Sequence, residues 1–273
     1  MHKKILITLV ICGLPLTSFA STTVPPFGAN GSAEASIDWS SVQITPAGNT
    51  TISFFSTYAG VQIDADVQGA ASGVRVKGDY SGGLDANLQR NYDFASVNRD
   101  VSLNAKVDLV NSNAISSSVQ NASRGGSDHF DMSAAQQWIY IIPTGESTIN
   151  LRGNYNLSIN GKANSSGDSV WLNSLAELDL YDESDGKFWV HDTAALEDSV
   201  WAGNTPLSRT QTGVFDRTVS VTPDRIYRLA FHAVTFSKVV SAPVPLPASG
   251  ALLLTGLGLL GSMVKRRGMA KVE

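Results

Sequence analysis

The chain has almost no cysteine. Cys12 is the only one among 273 residues, so no disulfide can form within the chain. Charge is scarce too: charged residues make up 16% of the sequence, against the ~25% usual in globular domains. Basic residues are scarcest where they would matter for nucleic acid. Six of the 20 lie in the end segments (Lys3, Lys4, Lys265, Arg266, Arg267, Lys271), but only one of the 24 acidic ones does (Glu273). The interior therefore carries 14 against 23, a net of −9. Phosphate binding needs a basic surface, so nucleic acid is excluded as a partner. No long stretch keeps a capped helical period. There is no His-Glu-x-x-His pattern and no Gly-x-Ser-x-Gly elbow. Serine is too abundant for any one to stand out as a nucleophile. No catalytic residue, metal-ligand set or cofactor is assigned, and the protein reads as a non-enzyme.

What the sequence does have is two apolar ends. The first reads MHKKILITLVICGLPLTSFASTT. Lys3 and Lys4 form a positive start, and Ile5 to Leu14 is an apolar core of roughly ten residues, too short to span a bilayer. Pro15 breaks it. Ser18 and Ala20 then place small residues before a cleavage site between Ala20 and Ser21. Residues 1–20 are expected to be a signal peptide read by the Sec export machinery. Ile11 before Cys12 is too bulky for a lipoprotein signal.

The second apolar end is an uncharged stretch of about 17 residues, Ala248 to Val264, just long enough for a membrane-crossing helix. Lys265, Arg266 and Arg267 follow at once, and a basic cluster after a span stays cytoplasmic. Pro243, Pro245 and Pro247 precede it. Each fixes φ and bars its predecessor from helix, so an extended, polyproline-like peptide is expected just outside the membrane.

Val244-Pro245-Leu246-Pro247-Ala248, a Gly/Leu-rich span and then Lys265-Arg266-Arg267 resemble the PEP-CTERM sorting signal in its VPLPA-CTERM variant. The resemblance covers about the last 30 residues. It implies processing by an exosortase, a membrane transpeptidase-like enzyme. It also implies a Gram-negative bacterium that makes exopolysaccharide, an inner-membrane-anchored intermediate, and export to the cell surface or extracellular matrix. Leu246 stands where the family's usual motif has Glu, and Gly268 to Glu273 extend past the basic cluster. A plain C-terminal membrane anchor is the alternative.

Residues 21–242 are expected to form one all-β domain, a β-sandwich of jelly-roll type, with 243–273 as the sorting signal. Val101, Leu103, Ala105, Val107 and Leu109 alternate with polar residues, as in a half-buried strand. Phe215 to Val221 and Tyr227 to Thr235, joined by Thr222-Pro223-Asp224-Arg225, read as a terminal hairpin. Ala176 to Val190 reads as a second, turning at Asp185-Gly186. Further strands are expected at Ile37–Ile44, Thr51–Tyr58, Val61–Val67, Val74–Tyr80, Trp138–Ile142 and Ile149–Ile159. Thr22 to Ala35 reads as a loose small-residue stretch, and the Ser-rich segment Asn111 to Asp128 as a long surface loop.

Three features invite a binding role. His129, beside Asp128 and Asp131, and His191, beside Asp192, offer imidazole near carboxylate. Adjacent strand residues face opposite ways, however, so the spacing argues weakly for metal. His232 reads as structural. Asp179, Asp182, Glu183 and Asp185 suggest calcium, but in the EF-hand register with Gly186 sixth the first ligand would be Tyr181, which fails. A solvated hairpin turn is the simpler reading. Finally, Trp39, Trp138, Trp171, Trp189 and Trp201 offer rings for sugar stacking, a lectin-like alternative that engages exopolysaccharide. Trp138, among Ile139, Tyr140 and Ile141, is expected to be buried, and Trp171 and Trp189 also lie in apolar strands.

Overall fold

The computed structural model describes residues 28–48, 50–65, 74–82, 87–95, 99–123 and 127–242. The expected signal peptide with its Ala20–Ser21 site lies outside them. So does the tail, with Val244 to Ala248, the apolar run and Lys265 to Arg267. Among the described residues, no helix is long and apolar enough to cross a membrane.

Twelve strands make two sheets, as the all-β expectation required: β1 (Ala29–Pro46), β2 (Ile52–Ala65), β3 (Val74–Gly82), β4 (Asn87–Ala95), β5 (Arg99–Asp108), β6 (Ala114–Ser123), β7 (Ser127–Pro143), β8 (Ser147–Ala163), β9 (Ser169–Asp182), β10 (Lys187–Trp201), β11 (Leu207–Val221) and β12 (Tyr227–Ser241). Sheet A runs β11-β8-β1-β6-β5-β4, and sheet B runs β10-β9-β12-β7-β2-β3. Every pairing is antiparallel. The sheets pack face to face, with β1, β6 and β8 set against β12, β7 and β9.

Alternation puts one side of each strand in the core. On β5, Val101, Leu103, Ala105 and Val107 point inward, as the spacing predicts. On β12 the inward set is Tyr227, Leu229, Phe231, Ala233, Thr235, Ser237 and Val239. Opposite them, β1 contributes Ala29, Gly31, Ala33, Ala35 and Ile37. These small residues let the sheets close up. A Cβ on Gly31 would lie 2.6 Å from a Val170 methyl. Hydroxyls then bridge the sheets directly: Ser117 Oγ meets Thr235 Oγ1 at 3.2 Å, Ser133 Oγ donates to the Asn104 carbonyl, and Ser174 Oγ donates to the Glu34 carbonyl.

The structure corrects three expectations. The Ser-rich segment after Asn111 is no long loop; it carries β6, in the middle of sheet A. Its inward positions are Ile115, Ser117, Val119, Asn121 and Ser123. Three of the five are polar, which hides the alternation, and the Ser117 hydroxyl and the Asn121 amide nitrogen find partners from sheet B. The stretch before Ala35 is strand from Ala29 on, because small residues suit an inner face crowded by the other sheet. The third concerns β11 and β12, which form no hairpin. β11 pairs with β8, and β12 lies between β7 and β9 in the other sheet. The Thr222–Ile226 link arches from one sheet to the other, held where the Asp224 N–H donates to the Pro143 carbonyl (3.3 Å) and the Thr222 N–H to Tyr227 Oη (3.0 Å). The β9–β10 hairpin forms as expected, with Gly186 at φ +66. Two strands expected around Ala59-Gly60 are one, β2. Strand β4 was not foreseen.

The two ends of the described domain meet. Asp168, buried at the β8–β9 turn, accepts the Ala242 N–H (2.8 Å) on Oδ1 and the Ser165 N–H (2.7 Å) on Oδ2. Beside it, the Gly28 carbonyl accepts the Asn164 N–H (2.8 Å).

Candidate functional site

Two outer faces remain, and their chemistry differs. On sheet A, register places polar side chains in rows running across all six strands. One row is Asp93, Ser102, Gln120, Ser32, Asn160 and Ser208. The next toward the strand middles is Asn91, Asn104, Ser118, Glu34, Ser158 and Thr210. Period-two alternation produces this: polar residues fill most of the outward set while the inward set is mostly apolar or small. The first row, from Asp93 to Asn160, floors an open groove of about 710 Å³, lined also by Asn30, Asp100, Lys162, Phe94, Pro206 and Leu207. Asn160 Oδ1 accepts from Ser208 Oγ at 2.8 Å. Such a floor offers hydroxyl and amide hydrogen bonds with little charge.

Sheet B carries the aromatic and titratable groups. At one end of its outer face, the Arg228 guanidinium lies between Trp138 (5.9 Å) and Tyr181 (5.0 Å) and pairs with Glu183 (3.1 Å). At the other, Phe130 stacks on Trp171 at 6.3 Å, and Trp171 Nε1 donates to Glu197 Oε1 (2.8 Å). Between them the cross-strand register joins Asp179, His191, His232 and Glu177. His191 Nδ1 is 2.7 Å from Asp179 Oδ1, and His232 Nε2 is 3.8 Å from Asp179 Oδ2.

The sequence does not single out this cluster. His191 was read beside Asp192, but Asp192 turns to Arg217 (3.0 Å) on β11, and the partner of His191 comes from the neighbouring strand. Only the pairing register could have found it. Among the described residues, no group of three or more His, Cys, Asp or Glu is placed to hold a metal. His129 is on β7, and its side chain is outside the described part. The acidic turn is spent on arginine: Asp182 Oδ2 meets Arg225 (2.6 Å), Asp185 also pairs with Arg225, and Asp182 Oδ1 accepts the Ser184 N–H (2.9 Å). Those oxygens are the ones a calcium ion would need.

The tryptophans divide. Trp39 packs edge-on against Phe231 (5.7 Å). Trp138 is half-buried under Arg228. Trp189 is displaced at a bulge, 43% exposed and edge-on to Tyr227, contrary to its apolar neighbourhood in sequence. Trp201 is 58% exposed, near the far end of β10. Trp171 and Trp201 share the outer face of sheet B as diagonal neighbours.

The two histidines respond oppositely to pH. The hydrogen bond and charge of Asp179 raise the His191 pKa above its ordinary 6.5. Burial lowers that of His232, against the pull of Asp179. The contribution of His191 is full below 6.5 and is lost as pH rises through its raised folded value. His232 acts the other way, costing stability as pH falls below 6.5. His191→Gln is expected to flatten the fall of Tm as pH rises above 6.5, and His232→Gln the fall as pH drops below 6.5. A melting series across neutral pH checks both; unchanged slopes would mean that Asp179 does not hold the His191 ring and that burial does not disfavour the charged form of His232.

No family model matches the chain, and no curated protein matches it significantly.

Proposed function

We propose that this is an exported, non-enzymatic protein of the cell surface or extracellular matrix, held in the inner membrane by its tail until an exosortase-like enzyme processes it. The pair of terminal signals around one all-β unit carries this reading. It is supported by the clasp at Asp168, which holds Gly28 and Ala242 together at one corner of the described domain. In this reading the domain is a jelly-roll-like sandwich, in keeping with a chain that changes sheet between β1 and β2, β3 and β4, and at every step from β6 to β9. The test is removal of Pro243 to Glu273. The shortened protein is expected in the periplasm or medium, the full chain partly in the membrane fraction. Identical fractionation of the two would sink the sorting signal.

A second reading, a glycan-binding module, is favoured by the groove on sheet A. Its floor of hydroxyls and amides suits polyol recognition, and the net negative interior disfavours nucleic acid.

A further inference from the structure

The groove on sheet A has a direction, and the direction says what it takes. It touches β4, β5, β6, β1, β8 and the start of β11, so it runs across the strands over the full width of the sheet. Five inter-strand gaps span ~24 Å. Along that line β4, β5, β6, β1 and β8 each supply one side chain of the floor row, Asp93 to Asn160, at intervals of ~4.8 Å. The side chains of Asn30, Ser32, Ser102 and Gln120 have no hydrogen-bond partner within the described residues, so their donors and acceptors are available to a ligand.

We propose that this groove binds an uncharged glycan chain several units long, laid across the strands of sheet A. The inference rests on the glycan reading above and deepens it. Hydroxyl and amide groups both donate and accept, which matches a polyol whose hydroxyls recur at regular intervals. Pro206, exposed at one end of the groove, offers apolar surface to the C–H face of a sugar ring. Charge selects against acidic chains: among the described residues, Asp93 and Asp100 lie in the groove with Lys162 as the one cation. A peptide is a poorer fit, because the backbone groups beneath the floor are already paired within the sheet. The aromatic patch of sheet B is the weaker glycan site, since Trp171 is occupied by Phe130 and Glu197.

The experiment titrates the full-length protein in detergent with neutral glucose and mannose oligomers of increasing length, and with uronate oligomers of equal length. Neutral oligomers are expected to bind, more tightly with length until the groove is filled, and uronates at least about tenfold more weakly. The double variant Gln120→Ala, Asn160→Ala removes two floor contacts from exposed positions. It is expected to lose about tenfold or more in affinity with an unchanged Tm, and Trp201→Ala to lose nothing. If no oligomer binds, the glycan reading itself fails. If oligomers bind but affinity falls with Trp201→Ala and not with the double variant, glycan binding stands and the groove assignment is overturned. Tighter binding of uronates also overturns it.

Discussion

Asp131→Ala is expected to cost the domain about 3–5 kcal/mol of stability. Asp131 is on β7 of sheet B, fully buried, and one carboxylate oxygen pairs with the Arg99 guanidinium on β5 of sheet A. The other accepts from the Asn121 amide on β6, which also donates to Ser237 Oγ (3.3 Å) on β12. The carboxylate thus ties β7 to two strands of sheet A, and the Asn121 amide carries the network on to β12 inside the core. Removing it takes a carboxylate away from the buried Arg99 guanidinium, and the poorer compensation of that buried charge dominates the loss. Replacing both partners with leucine removes the charge as well as the bond, so the double variant should be more stable than Asp131→Ala. Denaturant unfolding with an unchanged slope and a lowered midpoint is the readout. A loss below about 1 kcal/mol would place Asp131 at the surface, contrary to the packing described.

Phe231→Ala should cost a similar ~3–5 kcal/mol, for a different reason. Phe231 is fully buried on β12, the third strand of sheet B. Its ring meets Trp39 edge-on and lies over Gly153 of β8, where an added Cβ would approach the ring to 3.3 Å. The slot is built from both sheets, so neither can move in to fill it without breaking its own pairing. A cavity remains, and its size sets the excess over simple transfer. For a domain of this size Tm is expected to fall by on the order of 10 °C. Phe231→Leu should recover most of the loss, whereas a polar residue of similar volume should not.

Much of the strand content was legible. Where a strand has apolar residues on one side and polar residues on the other, as in β5, the period reports burial directly. The β9–β10 hairpin was legible because Asp-Gly supplies the positive φ that its turn needs. The misses share a cause. In β6 the inward residues include Ser117 and Asn121, which look like loop residues until Thr235 is seen to meet the Ser117 hydroxyl and Asp131 the Asn121 amide nitrogen. In β1 the inward residues are Ala and Gly, which carry no pattern by themselves. Their smallness has meaning only against Val170 and Leu172 of the facing sheet.

The binding surfaces divide in the same way. The five tryptophans were visible in the sequence, but their exposure was not, because a bulge at Trp189 and a strand end at Trp201 decide it. The polar rows of sheet A were invisible, since each takes one residue from each of six separate strands.

By itself, the sequence determined the period of the strands, the acidity of the interior and the chemistry of the two ends, because these are properties of neighbouring residues. Only the tertiary structure decided that β11 and β12 lie in different sheets, that Asp179 belongs to His191, and that Gln120 and Asn160 share one groove. Turn chemistry reverses a chain without choosing its partner strand. That choice is made by which faces must be buried together, and it involves residues a hundred or more positions apart.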